Sequence, residues 1–106
     1  MLIVVSPAKA LDFESPLVTK KYSQPVMLER SKELVDVLST KTPQDLQSLM
    51  SISDSLAALN FERYQGWSTP FTTDNSRPAI LSFSGDTYIG LNAGATFSER
   101  DFTHAQ

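Results

Sequence analysis

The chain has 106 residues, of which 41% are hydrophobic and 20% are charged, and its formal net charge is −3. This composition is typical of a globular domain and argues against intrinsic disorder. Because the chain contains no cysteine, disulfide scaffolds, thiolate zinc sites and cysteine nucleophiles are excluded. No apolar run reaches the roughly 20 residues that a membrane helix requires, and the first ten residues lack the pattern of a signal peptide. We therefore expect a cytoplasmic protein without a membrane segment.

Two short apolar runs predict β-strands. Leu2–Val5 does not alternate between apolar and polar residues, which is typical of a strand covered on both faces. Ala79–Phe83 is the second such run. Taken with the helical segments described next, these runs predict a mixed α/β (α+β) fold in which short strands accompany a helical hairpin.

The central part of the chain predicts helices. Residues 26–39 carry Met27, Leu34 and Leu38 on one stripe, as in an amphipathic helix. Thr42-Pro43-Gln44-Asp45 predicts a helix start, because Thr42 can cap the helix and Pro43 suits its first position. A further helix is expected from Ser53 or Asp54 to about Tyr64, so that a very short hairpin joins two helices.

Helical signals return near the end of the chain. Thr87–Leu91 predicts a helical turn, whereas residues 92–95 predict no regular structure. Ser98-Glu99-Arg100-Asp101 has the spacing of a capping box and predicts a helix that begins near residue 99.

The hairpin between Leu46 and Leu56 is a candidate phosphate site. Its hydrophobic residues surround a central Ile52, and the second helix starts directly after the turn. The first turn of a helix presents free backbone N–H groups and the positive end of the helix dipole, which together favour a phosphate oxygen. The alternative is an ordinary helical hairpin within a core, which the spacing alone favours.

Two polar loops form a second candidate site. They are Ser6–Lys9, which follows the first apolar run, and Ser84–Tyr88, which follows the second. If the predicted strands were parallel neighbours, both loops would lie at one edge of the sheet and bring Lys9, Asp86 and Tyr88 together beside Ser6. Loops at strand ends are frequent ligand sites, and Lys9 would suit an anion. The alternative is that both loops are plain turns with a solvated lysine.

Metal and nucleotide sites have little support in the sequence. His104 is the single histidine and has no cluster of ligand residues near it, and the carboxylates are scattered along the chain. No GxxxxGK pattern is present, so a nucleotide-binding P-loop is not indicated. We expect no metal and no cofactor.

Three blocks of sequence together resemble one known family. The first is Met1–Lys9, followed by Leu11-Asp12-Phe13. The second is Leu49-Met50-x-Ile52-Ser53-Asp54-x-Leu56-Ala57, followed by Asn60 and Arg63. The third runs from Ala79 to Leu91 and continues in Thr96-Phe97-Ser98. In this order the blocks are similar to the YaaA family of peroxide stress proteins, along essentially the whole chain.

The resemblance has several implications for structure. Members of the family are more than twice this long, so residues 1–106 would be the amino-terminal part of a single YaaA-like domain whose carboxyl-terminal part is missing here. The family has a distinctive α/β fold with a basic cleft. It also contains a helix-hairpin-helix element, which prefers glycine where this chain has Ser51 and Ser53.

The resemblance also implies a function. The family protects cells from hydrogen peroxide by limiting free intracellular iron, and it is associated with binding to double-stranded DNA. No settled enzymatic reaction accompanies it. The expected contacts with the DNA backbone come from one lysine, the hairpin and one arginine: Lys9, Ser51, Ile52, Ser53, Ser55 and Arg63.

Two hypotheses about function follow, of different classes. The leading one is a DNA-binding stress-protection protein, whose binding to the duplex depends on the missing carboxyl-terminal part. The rival is an enzyme that acts on a small anionic substrate in a pocket formed by Ser6, Lys9, Asp86 and Tyr88. We favour the binding protein over the enzyme.

Overall fold

The computed structural model of the chain describes residues 1–105, which divide into two compact units. One unit is Gln24–Pro70, and the other combines Met1–Ser23 with the segment that begins at Phe71. Within residues 1–105 there are seven helices: α1 (Leu28–Leu38), α2 (Pro43–Met50), α3 (Asp54–Gly66), α4 (Ala79–Ser82), α5 (Asp86–Leu91), α6 (Ala93–Thr96) and α7 (Glu99–His104).

The unit Gln24–Pro70 contains α1, α2 and α3, and α2 packs against α3. Its buried apolar residues are Leu46 on α2 and Ala57 on α3. Both side chains are almost completely shielded from solvent, with 0% of Leu46 and 1% of Ala57 exposed. These two helices are the hairpin that the sequence predicts.

The predicted start of α2 at Thr42 is confirmed. The Asp45 N–H donates to the Thr42 hydroxyl at 3.2 Å, and the Thr42 N–H donates to the Asp45 carboxylate at 3.0 Å. This reciprocal capping box satisfies two N–H groups that a helix end otherwise leaves unpaired. Pro43 occupies the first helical position, where its missing N–H is not needed.

The helix predicted over residues 26–39 is confirmed as α1, with its ends at Leu28 and Leu38. Its predicted apolar stripe is not buried, because Met27 precedes the helix and Leu34 is 67% exposed. Its carboxyl end is tied to α3, because the Gln65 side chain donates to the Ser39 carbonyl at 2.7 Å. The ion pairs on α1, Arg30–Glu33 and Lys32–Asp36, are exposed. Such exposed pairs contribute about 0–1 kcal/mol each.

The other unit has its buried apolar residues at Ala93 and Phe102. The rings of Phe97 and Phe102 lie 5.5 Å apart in a tilted arrangement. Helix α7 starts where the sequence predicts, with the Asp101 N–H donating to the Ser98 hydroxyl and the Ser98 N–H donating back to Asp101. The capping box therefore sets the direction in which Phe102 enters this small core.

The predicted α/β fold is wrong, because residues 1–105 form helices and no β-sheet. The run Leu2–Val5 has no regular structure and is exposed, and the run predicted as a second strand forms the one-turn helix α4. An isolated antiparallel bridge between Leu11 and Phe83 is the only strand-like pairing among the described residues.

The physical reason is that a short apolar run does not distinguish a strand from a buried helical turn. A strand forms only where a neighbouring strand pairs with its backbone groups, and Leu2–Val5 has no such neighbour in the described part of the chain. At Ala79–Ser82 the Pro78 carbonyl instead accepts hydrogen bonds from Leu81 and Ser82, which closes a helical turn.

Two smaller differences concern the segment after α4. The predicted helical turn at Thr87–Leu91 is confirmed as α5, which begins at Asp86. The segment expected to lack regular structure forms the short helix α6. Asn92 makes this possible because it adopts a left-handed conformation, φ 49° and ψ 44°, that ends α5 and starts α6. Asparagine tolerates this conformation better than most residues.

None of the helices within residues 1–105 is both long enough and apolar enough to span a membrane.

Candidate functional site

The turn of the α2–α3 hairpin consists of Ser51, Ile52 and Ser53. Ser51 ends α2 in the left-handed conformation, φ 53° and ψ 51°. That conformation costs a residue with a side chain about 1–2 kcal/mol, which explains why glycine suits this place. The hairpin nevertheless forms, because the Ser51 and Ile52 N–H groups both donate to the Gln47 carbonyl.

At the amino end of α3, some backbone N–H groups are hydrogen-bonded and others are not. The Ser53 hydroxyl accepts from the Leu56 N–H at 3.3 Å and lies 3.1 Å from the Ser55 hydroxyl. Within residues 1–105, no hydrogen bond involves the N–H groups of Asp54 and Ser55. Those two donors, with the exposed Ser55 hydroxyl, are what the hairpin offers to an oxygen ligand.

The charge around this helix start is mixed. Asp54 lies in the first turn of α3, where its carboxylate opposes the approach of an anion, and Arg63 lies in the last turn of the same helix. Helix α3 rises about 1.5 Å per residue, so Arg63 lies roughly 12 Å along the axis from Ser55. Arg63 and the backbone donors of Asp54 and Ser55 therefore lie near opposite ends of α3.

Lys9 belongs to the other unit. Its side chain is exposed, and the ion pairs within residues 1–105 do not include it. Of the six residues expected to contact DNA, the structure groups Ser51, Ile52, Ser53 and Ser55 at one turn.

The second candidate site is built from two loops that touch each other. The Tyr88 hydroxyl donates to the Ser6 carbonyl at 2.7 Å, and Phe83 packs against the Tyr88 ring with 5.2 Å between centroids. A side chain added at Gly85 would place its Cβ 3.0 Å from the Ala8 Cβ, so glycine permits this close approach. The two loops thus meet, without the pair of parallel strands from which their proximity was argued.

The charged members of this site point to solvent. Lys9 and Asp86 are both exposed and form no ion pair with each other. Asp86 is the first residue of α5. An open groove of the same unit is lined by residues other than Ser6, Lys9, Asp86 and Tyr88, namely Leu17, Val18, Thr19, Lys20, Tyr22, Thr72, Thr73 and Glu99.

Sequence reasoning missed the cluster around Asp12 and Arg77. The Asp12 carboxylate accepts from the N–H groups of Glu14 and Ser15 at 2.9 and 3.0 Å, and the Arg77 guanidinium donates to the Ser15 carbonyl at 2.7 Å. The Arg77 Nε is buried and has no hydrogen-bond partner within the described residues. The Asp12 N–H also donates to the Ser82 carbonyl at 2.7 Å. Asp12 is a recognisable turn residue, but Arg77 is 65 positions away and only the fold brings them together.

These contacts determine the acidity of Asp12. Hydrogen bonds from the Ser15 side chain and from the Ser15 and Glu14 N–H groups, with the nearby Arg77 charge, lower the Asp12 pKa to about 2. Because folding lowers this pKa, the ionised Asp12 carboxylate stabilises the folded state at pH values above 3.8, the pKa of the unfolded chain. That stabilisation is lost progressively as the pH falls from 3.8 to about 2.

We expect Asp12→Asn to lower the free energy of unfolding at pH 6 and to have a smaller effect at pH 2.5. Urea unfolding followed by circular dichroism at both pH values measures the difference, and the Asp12 carboxyl titration followed by NMR gives the pKa directly. An Asp12 pKa near 3.8 would contradict the hydrogen-bond geometry.

No group of three or more His, Cys, Asp or Glu side chains within the described range, residues 1–105, is arranged to hold a metal ion.

Comparison with known proteins gives the family of the chain. The family model described as peroxide stress protein YaaA matches residues 1–106. A UPF0246 protein of Colwellia psychrerythraea is 58% identical over 106 residues, which is 100% of this chain and 41% of the relative. The chain thus spans about two-fifths of the length of that curated relative. Since the family model covers the whole chain, the chain belongs to the family of peroxide stress proteins described as YaaA.

Proposed function

We propose that this chain contributes a sequence-independent contact with double-stranded DNA, within a peroxide stress protein that limits free intracellular iron. The observation that carries the DNA contact is the start of α3, where the N–H groups of Asp54 and Ser55 have no partner within residues 1–105. Such donors position a duplex through its phosphates without reading its bases. Arg63 would supply positive charge on α3, and Lys9 would make a separate phosphate contact from the other unit.

The net charge of −3 limits the affinity that this chain can reach alone, because binding to DNA depends on the release of counterions by Lys and Arg. The parent protein would supply further basic surface. The test therefore uses a chimera, in which residues 1–106 of this chain replace the matching 41% of the Colwellia relative.

The experiment measures fluorescence anisotropy of a labelled DNA duplex at several salt concentrations. We expect Lys9→Glu to weaken binding by the chimera and to reduce the slope of log affinity against log salt by about 1. Ser55→Glu is expected to weaken binding through repulsion at the amino end of α3.

Each variant has a control with a matched charge change. The control for Lys9→Glu is Lys21→Glu, because Lys21 is exposed in the same unit as Lys9. The control for Ser55→Glu is Gln44→Glu, because Gln44 is exposed at the start of α2, away from the hairpin turn. If the control variants weaken binding as much as Lys9→Glu and Ser55→Glu do, the effect is general charge repulsion and the proposed contacts are wrong.

The link to iron has its own test. In cells that lack their YaaA protein, the chimera should lower the chelator-accessible iron measured by electron paramagnetic resonance after peroxide exposure. The Lys9→Glu, Ser55→Glu double variant shows whether this effect depends on DNA contact. Unchanged iron levels with the intact chimera would contradict the iron role.

A second candidate function is an enzyme that acts on a small anionic substrate. The contacts that hold the two loops together, from Tyr88 to Ser6 and from Gly85 to Ala8, favour it because they fix the backbone beside Lys9. Inorganic phosphate is a suitable first probe by calorimetry. Binding by the chimera that is lost in Lys9→Glu and retained in Ser55→Glu would favour this site over the hairpin.

A further inference from the structure

The first five residues form an apolar segment that nothing in the described structure covers. The exposed fractions are 114% for Met1, 87% for Leu2, 72% for Ile3, 85% for Val4 and 41% for Val5. Scattered exposed apolar residues are normal on a protein surface, whereas a contiguous exposed run marks an interaction site. No side chain in this run is polar.

The segment leaves the fold at a fixed point. Directly after Val5, the Ser6 carbonyl accepts a 2.7 Å hydrogen bond from the Tyr88 hydroxyl. Two residues later, Ala8 lies against Gly85, with only 3.0 Å between the Ala8 Cβ and the place of a Cβ on Gly85. The backbone that presents the apolar run is therefore held at its base, which reduces the entropy lost when the run is bound.

Burial of this run would be strongly favourable. The reason is that burial of a Leu, Ile or Val side chain removes its apolar surface from water. Within residues 1–105 the buried apolar residues of the same unit are Ala93 and Phe102, so the run itself takes no part in that core.

The occupant that fits is polypeptide outside this chain. All 106 residues of the chain align with its Colwellia relative at 58% identity, but they cover only 41% of the relative's length. The other three-fifths of that relative, roughly, have no counterpart within these 106 residues.

We propose that Leu2–Val5 is an internal docking surface, covered in the longer protein by polypeptide that corresponds to the part of the relative outside the match. This proposal does not depend on DNA binding, and the experiment that tests it contains no DNA.

The test measures how fast a cysteine at position 4 reacts with a maleimide. Because the chain has no cysteine of its own, Val4→Cys introduces a single thiol. Its labelling rate is compared between the 106-residue chain and the chimera defined above, in which any cysteine of the relative is replaced by serine. Ser48→Cys, exposed on α2, is the matched control in both proteins.

We expect Val4→Cys to react at least tenfold more slowly in the chimera than in the chain, with Ser48→Cys little changed. Equal Val4→Cys rates in a chimera that unfolds cooperatively by circular dichroism would overturn the proposal. A Val4→Cys rate in the chain alone that falls with rising chain concentration would overturn it in favour of a second copy as the occupant.

A second measurement does not depend on covalent fusion. The three-fifths of the relative beyond the match, produced as a separate polypeptide, should co-purify with this chain, and Ile3→Asp should reduce the amount recovered. Ser48→Asp should have no effect. Recovery that is the same for Ile3→Asp and the unmodified chain would also count against the docking surface.

Discussion

Leu46→Ala is expected to destabilise the chain by about 2–5 kcal/mol. Leu46 is 0% exposed, and it is the largest fully buried side chain among the described residues. Its removal leaves a cavity between α2 and α3, where the only other buried apolar residue of the unit is Ala57. Alanine at position 57 is too small to fill that cavity. Typical domains have a free energy of unfolding of about 5–15 kcal/mol, so this loss would be a large fraction of the total.

Urea unfolding followed by circular dichroism at 222 nm measures the change. Leu49→Ala is the matched control, since Leu49 lies on the same helix and is 67% exposed. The control should change the free energy of unfolding by about 0.5 kcal/mol or less. Equal losses for both substitutions would mean that the hairpin does not pack around Leu46.

Phe102→Ala is expected to cost about 3–5 kcal/mol, through the core of the other unit. Phe102 is 3% exposed and packs against the Phe97 ring at 5.5 Å. The loss combines the apolar area returned to water with the aromatic contact. Ala93, the other buried apolar residue of this unit within residues 1–105, is too small to fill the space.

The second prediction is measured by thermal unfolding, with Arg100→Ala on the same helix as its control. Arg100 is exposed, so its substitution should shift the unfolding temperature little. The Phe102→Ala protein should also lose intensity in the phenylalanine bands of near-ultraviolet circular dichroism, because Phe97 would no longer be held in one orientation. An unchanged near-ultraviolet spectrum would contradict the proposed packing of the two rings.

The helix starts are the features that the sequence predicted best. A capping box involves residues only three positions apart. The pairs Thr42 with Asp45 and Ser98 with Asp101 can therefore be recognised from the sequence, without any tertiary contact. The hairpin was predictable for the same reason. Its turn departs from the expected glycine pattern, and Ser51 still adopts a left-handed conformation.

The predicted strands failed because a strand is not a local structure. Leu2–Val5 has the composition of a strand, but its backbone finds no partner within the described residues and stays irregular. The run Ala79–Phe83 is also apolar, but its first residues form a helical turn because the Pro78 carbonyl accepts hydrogen bonds from the Leu81 and Ser82 N–H groups. Apolar content favours the burial of both runs, but it does not indicate which residues would pair with them or cover them.

The candidate sites likewise contain some features set by local sequence and others set by tertiary contacts. The local sequence by itself determined the caps, the helical hairpin and the first-turn amides of α3, because neighbouring residues set them through backbone hydrogen bonds. Only the tertiary structure decided that Arg77 lies beside Ser15 and Asp12, that Tyr88 reaches Ser6, and that the first five residues stay uncovered. The reason is physical: a helix cap satisfies its donors within one turn of chain, whereas contacts between distant residues depend on how the chain closes its loops and on which apolar surfaces find each other.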